Sequence, residues 1–191
     1  MNERTIGGRR VFEGRVLRVE VLDVELDGGA RSIREIVRHA GAVGVLPRRP
    51  DGAFVLVRQF RKAIERETLE ICAGLLDPGE APEAAARREL REETGLRAAR
   101  LTPLGRIHAS PGYTDETVHL FLADCEAAAG ETAPDADERV ETVRMARADL
   151  ERALGDGTIT DAKTLAAWAR FLLLEERRDG RAAPRPPSPR T

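Results

Sequence analysis

The chain reads as an α/β fold, and three stretches carry that reading. Residues 42–46 (AVGVL) and 54–60 (FVLVRQF) are apolar runs split by the turn PRRPDG, the pattern of strands buried on both faces of a sheet. Residues 83–93 (EAAARRELREE) are dense in Ala, Glu, Leu and Arg, all strong helix formers. Residues 10–26 alternate, with Val19 and Val21, then Leu22, Val24 and Leu26 set among charged residues, which is strand periodicity with one wet face.

Length and composition set the bounds. A chain of 191 residues and 21.0 kDa with 41% hydrophobic residues supports one cored domain with a modest extension. A net charge of −2 gives no global nucleic-acid footprint. No apolar run approaches the ~20 residues of a membrane span, and no signal peptide opens the chain. Cys72 and Cys125 lack metal-binding spacing, so reduced thiols in a cytoplasmic protein are expected. Only Lys62 and Lys163 are lysines among 31 basic residues, which reads as a coding bias.

Taken in order, residues 1–9 are polar and expected to fray. Asp27-Gly28-Gly29 is a turn signal and residues 32–38 resume an extended pattern, so residues 1–40 form a small antiparallel meander that needs a partner surface to bury much. Residues 41–178 form the main domain. Within it, residues 68–72 are a short strand. Pro82 suits a first helical turn and Gly95 a left-handed helix end. Strands follow at 101–109, 117–123 and 140–143, and a short helix at 147–155. Thr160 or Asp161 caps the last helix, which presents Leu165, Trp168 and Leu172, with Phe171 alongside, to the sheet. Residues 179–191 (DGRAAPRPPSPRT) are Pro- and Arg-rich and read as a disordered tail. His39, His108 and His119 stand apart from any Ser or Cys nucleophile motif and read as structural, so covalent catalysis is not expected.

The chemistry concentrates in residues 74–96, GLLDPGEAPEAAARRELREETGL. Six acidic side chains (Asp77, Glu80, Glu83, Glu89, Glu92, Glu93) stand among Arg87, Arg88 and Arg91. Glu89, Glu92 and Glu93 at i, i+3 and i+4 share one helix face, where their mutual repulsion is destabilising. Converging hard oxygen ligands are what Mg²⁺ needs. Gly74, five residues, Glu80, seven residues, Arg88-Glu89-Leu90, one residue, Glu92-Glu93, one residue and Gly95-Leu96 resemble the Nudix hydrolase signature at every defined position.

That resemblance, extending over roughly residues 12–175, implies an α/β/α sandwich with a mixed sheet, preceded here by the N-terminal antiparallel strand unit. It implies hydrolysis of a nucleoside diphosphate linked to another group, with two to three Mg²⁺ or Mn²⁺ ions. Glu89, Glu92 and Glu93 are the implied metal ligands, with the Ala73 carbonyl as a further candidate, and Arg88 steadies a ligand carboxylate. Arg61 in Gln59-Phe60-Arg61 matches a diphosphate-binding arginine, Glu70 a residue reaching substrate or metal, and arginine forks suit phosphate. The turn Ser110-Pro111-Gly112, with Asp115-Glu116 beyond it, resembles the ADP-ribose pyrophosphatase branch and implies a rim for a terminal ribose. Tyr113 is a candidate there. A loop glutamate is the implied base for the attacking water; Glu138 matches best, with Glu131 and Asp137 open. The same branch uses its N-terminal strands in a homodimer. The expected reaction is ADP-ribose to AMP and ribose 5-phosphate, the alternative another nucleoside diphosphate sugar such as GDP-mannose. A non-catalytic binding module is the remaining alternative.

Overall fold

Both faces of the central strands are apolar, so the sheet must be covered twice. The computed structural model, which describes residues 2–128, 130 and 139–180, does this with helices on either side. Strands β4 (Ala42–Arg48), β5 (Phe54–Arg61), β6 (Arg66–Glu70), β7 (Cys72–Leu75), β8 (Ala98–His108), β9 (Thr117–Cys125) and β10 (Val140–Met145) form one sheet. Its order is β10-β5-β4-β9-β8, with β6 on β5 and β7 on β4. β4 and β9 run parallel while the other pairs are antiparallel, so the sheet is mixed, as expected. No helix among the described residues is long and apolar enough to cross a membrane.

Alternate residues of the same strands feed two cores, as the period-2 geometry of a strand requires. Leu46, Phe54, Leu56, Val118, Leu120 and Leu122 pack with Leu150, Trp168 and Phe171 from α2 (Arg147–Gly155) and α3 (Ala162–Arg178). Val43, Val45, Val55, Phe121 and Ala123 pack with Ala85, Ala86 and Leu90 of α1 (Pro82–Thr94). Phe54 meets Trp168 and Phe171 edge-on at 5.1 and 5.4 Å between ring centres, the favoured aromatic geometry. Asp161 caps α3 by accepting from Thr164 N at 2.8 Å.

The N-terminal unit is a separate antiparallel sheet, β1 (Glu3–Glu13), β2 (Leu17–Leu26) and β3 (Arg31–His39). Two expectations are corrected here. Residues 3–9 do not fray but pair with β2 from Glu3↔Leu26 onward. Cross-strand charge pairs such as Arg34–Glu3 at 2.5 Å and Arg4–Glu25 at 2.9 Å accompany the ladder. On α3 the buried stripe is Thr164, Ala167, Trp168 and Phe171, while Leu165 is 42% exposed; the inward face is rotated away from it.

α1 begins with Pro82 in its first turn and ends at Gly95, whose φ of 67° is the left-handed cap. Its hold on the sheet is apolar, through Ala85, Ala86 and Leu90, all at 0% exposure. Leu90→Ala leaves a cavity there and is expected to cost about 2–5 kcal/mol in urea unfolding, with the denaturant slope unchanged. A loss below about 1 kcal/mol would mean that α1 is held by something other than this packing.

Candidate active site

The site is built on the edge of α1 that flanks its buried stripe. Glu93 falls on the stripe, is 3% exposed, and accepts from Ala73 N at 3.1 Å. Glu89 and Glu92 stand at the rim, with side chains 12% and 30% exposed. Between them lies Arg88. Its Nη1 donates to Glu89 at 2.7 Å and Glu92 at 3.1 Å, while Nε and Nη2 grip Glu80 at 3.1 and 2.8 Å. Nη2 also donates to the Leu75 carbonyl at 3.0 Å. Hydrogen bonding to Glu80 first, and then to Glu89 and Glu92, holds this guanidinium more firmly protonated than an ordinary arginine, against the opposing effect of burial. The same bond holds the Glu80 carboxyl below its usual range.

Gly74 is required by a close approach. A Cβ built there would overlap the Glu89 carboxylate, so the first signature glycine makes room for that acid rather than for a turn. β7 carries Ala73, Gly74 and Leu75 opposite Gly44, Val43 and Ala42 of β4, and these strands form the floor of a cavity of about 540 Å³.

A second charge cluster lines the same cavity through Arg61 and Lys163. Arg61 at the end of β5 donates through Nε and Nη2 to the two oxygens of Glu70 at 2.8 and 2.7 Å. Glu70 is 2% exposed and also accepts from Thr68 at 2.5 Å and from Lys163 Nζ at 3.1 Å. Burial alone pushes the Glu70 carboxyl up, but the Arg61 bonds, the Lys163 charge and the Thr68 hydroxyl outweigh it and bring it to about 2.

The cavity therefore gathers Arg61, Ala73, Gly74, Arg88, Glu89, Glu92 and Glu116 from the sequence-predicted set. Glu93, 3% exposed, and the exposed Pro111 and Gly112 are not among its lining residues. Glu131, Asp137 and Glu138 lie outside the described residues. Arg58 turns to the surface and pairs with Glu141 at 3.3 Å. His39, Lys163, Val16 and Asp77 also line the cavity and were not legible as site residues. His39 Nδ1 accepts from Gly41 N at 3.1 Å, which leaves Nε2 as the proton-bearing nitrogen of the neutral ring. For a divalent cation the donor set is suitable: two carboxylates and the Ala73–Leu75 backbone line one cavity, all offering hard oxygen. Among the described residues no three His, Cys, Asp or Glu side chains already converge as a metal cluster, and Arg88 is the positive charge that Glu89 and Glu92 share.

Fold and site together define a hydrolase-type phosphate cavity of the Nudix kind, and the comparisons agree. The NUDIX domain profile matches residues 38–168, and the chain belongs to the Nudix family. An ADP-ribose pyrophosphatase of Bacillus subtilis is 43% identical over 177 residues, spanning 92% of this chain and 95% of that protein. A methanol dehydrogenase activator of Bacillus methanolicus is 40% identical over 178 residues, spanning 91% and 94%. Proteins named GDP-mannose pyrophosphatase also match at 35–36% identity. A crystal structure of an ADP compounds hydrolase superposes with a TM-score of 0.79 at 28% identity, covering 95% of this chain and 98% of that one.

The Glu70 carboxyl fixes the sign of an acid dependence. Its folded value of about 2 lies below the ordinary value of about 4.3, so its contribution is fully present above about pH 4.3 and is lost as pH falls through about 2. The stability advantage of the native chain over Glu70→Gln, followed by thermal unfolding, is expected to shrink steadily across that window. An advantage that stays constant down to pH 2 would contradict the ion cluster.

Proposed function

We propose that the chain hydrolyses the diphosphate of ADP-ribose to AMP and ribose 5-phosphate. The observation that carries this reading is that two charge clusters line one cavity, Arg61 held on Glu70 and Glu89 and Glu92 held on Arg88. The name of the Bacillus subtilis relative, matched over nearly the whole chain, supports the choice of nucleotide sugar.

Arg61 keeps Nη1 without a hydrogen bond among the described residues, and that edge is placed to bind a phosphate oxygen and to stabilise charge spreading in the transition state. Glu89, Glu92 and Glu93, with the Ala73 carbonyl, would hold Mg²⁺ or Mn²⁺, two to three ions per site. Bound cations supply Lewis-acid charge at the diphosphate. Glu93 also accepts from Ala73 N, and Arg88 steadies the Glu89 and Glu92 carboxylates. Water attacks one phosphorus, the bridging P–O bond breaks, and the water's proton passes to a loop acid. Glu138 is our choice for that base, ahead of Glu131 and Asp137. Glu116 and the rim at Pro111 and Gly112 are proposed to receive the terminal ribose. The buried thiols Cys72 and Cys125 suit a reducing cytoplasm.

Turnover is tested on ADP-ribose, GDP-mannose and UDP-glucose, with phosphate release read after phosphatase treatment. A clear preference for ADP-ribose is expected; comparable rates on all three would remove that assignment. Glu92→Gln is expected to lose about 100-fold or more in kcat with the fold intact by circular dichroism, and undiminished turnover would remove the metal site.

A homodimer through the N-terminal sheet belongs to the same proposal. Val11, Phe12, Val16 and Ile33 are 47–60% exposed there, more bare apolar surface than an isolated sheet of this size sustains. Light scattering is expected to give twice 21.0 kDa for the native chain and the single-chain mass for Phe12→Asp. A native chain that is monomeric would overturn the dimer.

A further inference from the structure

Lys163 is the one cation in the cavity wall that comes from α3, about seventy residues beyond the signature. It is the second residue of that helix, and its side chain is 19% exposed. Nζ donates to Glu70 Oε2 at 3.1 Å and to Asp161 Oδ1 at 2.6 Å. Asp161 in turn accepts from Thr164 N at 2.8 Å and from its hydroxyl at 2.6 Å. The Thr164 hydroxyl oxygen accepts from Ile71 N, next to Glu70, at 2.9 Å. The first turn of α3 is thus bolted to the Glu70–Ile71 segment at two adjacent points, one charged and one to the backbone.

The consequence falls on Arg61. Its Nε and Nη2 occupy both oxygens of Glu70, so the plane of the carboxylate sets the plane of the guanidinium and the direction of Nη1. Arg61 has a long side chain that is 40% exposed, with many rotamers open to it in solution. Glu70 sits between it and the helix. Thr68 holds Oε1 at 2.5 Å, but among the described residues Oε2 has only Arg61 Nη2, at 2.7 Å, besides Lys163. The ammonium of Lys163, itself fixed by Asp161, pins Oε2 from the other side.

We propose that Lys163 is a positioning residue for the diphosphate site: through Glu70 it sets the orientation in which Arg61 presents Nη1 to the substrate. The start of α3, Asp161 to Thr164, is then part of the substrate-binding machinery as well as of the core. This rests on the assignment of Arg61 to a diphosphate given above.

The test is a double-variant cycle on the full chain with ADP-ribose and Mg²⁺. Lys163→Met, Lys163→Arg, Arg61→Ala and Arg61→Ala/Lys163→Met are compared in kcat, KM and thermal midpoint. Lys163→Met is expected to raise KM about tenfold, Lys163→Arg to recover most of it, and the double variant to be no worse than Arg61→Ala alone. Additive losses in the double variant would show that Lys163 acts independently of Arg61 and overturn the proposal. So would a KM within about twofold of the native value in Lys163→Met, whatever its thermal midpoint. Should Lys163→Met not fold, Lys163→Gln takes its place in the cycle. If the native chain turns over no nucleotide sugar, it is the functional reading that has failed. The cycle is then read by calorimetric ADP-ribose binding, where equal affinity in the native chain and Lys163→Met overturns the positioning role separately.

Discussion

The arrangement depends first on one guanidinium. Six acidic side chains crowd residues 77–93, four of them on α1, where they would repel one another, and Arg88 distributes a single charge over Glu80, Glu89 and Glu92. Its donors are all engaged: two nitrogens on Glu80, one on both Glu89 and Glu92, and a further bond to the Leu75 carbonyl. A lysine could not do this, since an ammonium is a point charge on a flexible stem and lacks the planar fork. The bond to Leu75 matters as much as the ion pairs. It ties the helix rim to β7, so the carboxylates are held relative to the sheet and not only to their own helix.

In the second cluster the same logic is inverted. Here one buried carboxylate, Glu70, is surrounded by Arg61, Lys163 and Thr68. Removing a buried carboxylate from water is unfavourable unless every oxygen is bonded, and each of its oxygens is. Two clusters of opposite design therefore line one cavity, one a cation among acids and one an acid among cations. Both walls reach β4, the first through β7, which pairs with it directly, the second through β5, its neighbour in the sheet. That shared strand makes the spacing across the cavity a property of the sheet.

Much of this was legible in the sequence, for identifiable reasons. The apolar runs became β4 and β5, and Pro82 and Gly95 bounded α1, because those signals are local. Gly74, Arg88, Glu89 and Glu92 meet at the cavity because a single helix and the strand before it carry them. What escaped depended on distant partners. Residues 3–9 hold a strand through backbone pairing to β2 with every side chain exposed, so no apolar pattern marks them. Glu93 is as acidic as Glu89 and Glu92, yet it is 3% exposed on the buried stripe, beside Ala73 N and the Cys72 thiol, and no local pattern marks that burial. Lys163 was one of two lysines in an arginine-rich chain, and that rarity was its only sequence signal. Its role is set by Glu70, 93 positions earlier. The tertiary partner, not the residue type, carries the information in each case.

The N-terminal sheet joins the site by a similar long-range contact. Val37 N donates to the Tyr113 carbonyl at 2.7 Å and Asp115 N to the Val37 carbonyl at 3.2 Å, so β3 runs beside the Ser110–Asp115 segment as a short parallel bridge. Asp115 secures the junction by accepting from His39 N at 2.9 Å and from Arg38 at 3.1 Å. Burial alone would raise its carboxyl, and these two donors bring it below the usual range instead. The residue after it, Glu116, lines the cavity, as do His39 of β3 and Val16 of the β1–β2 connection. The prelude strands are therefore part of the cavity wall: a displacement of β3 would move Asp115, and with it Glu116, because the three are joined by bonds across seventy-odd residues. An N-terminal sheet that also bears bare apolar residues on its outer strands is in this way coupled mechanically to the pocket, whatever comes to cover those residues.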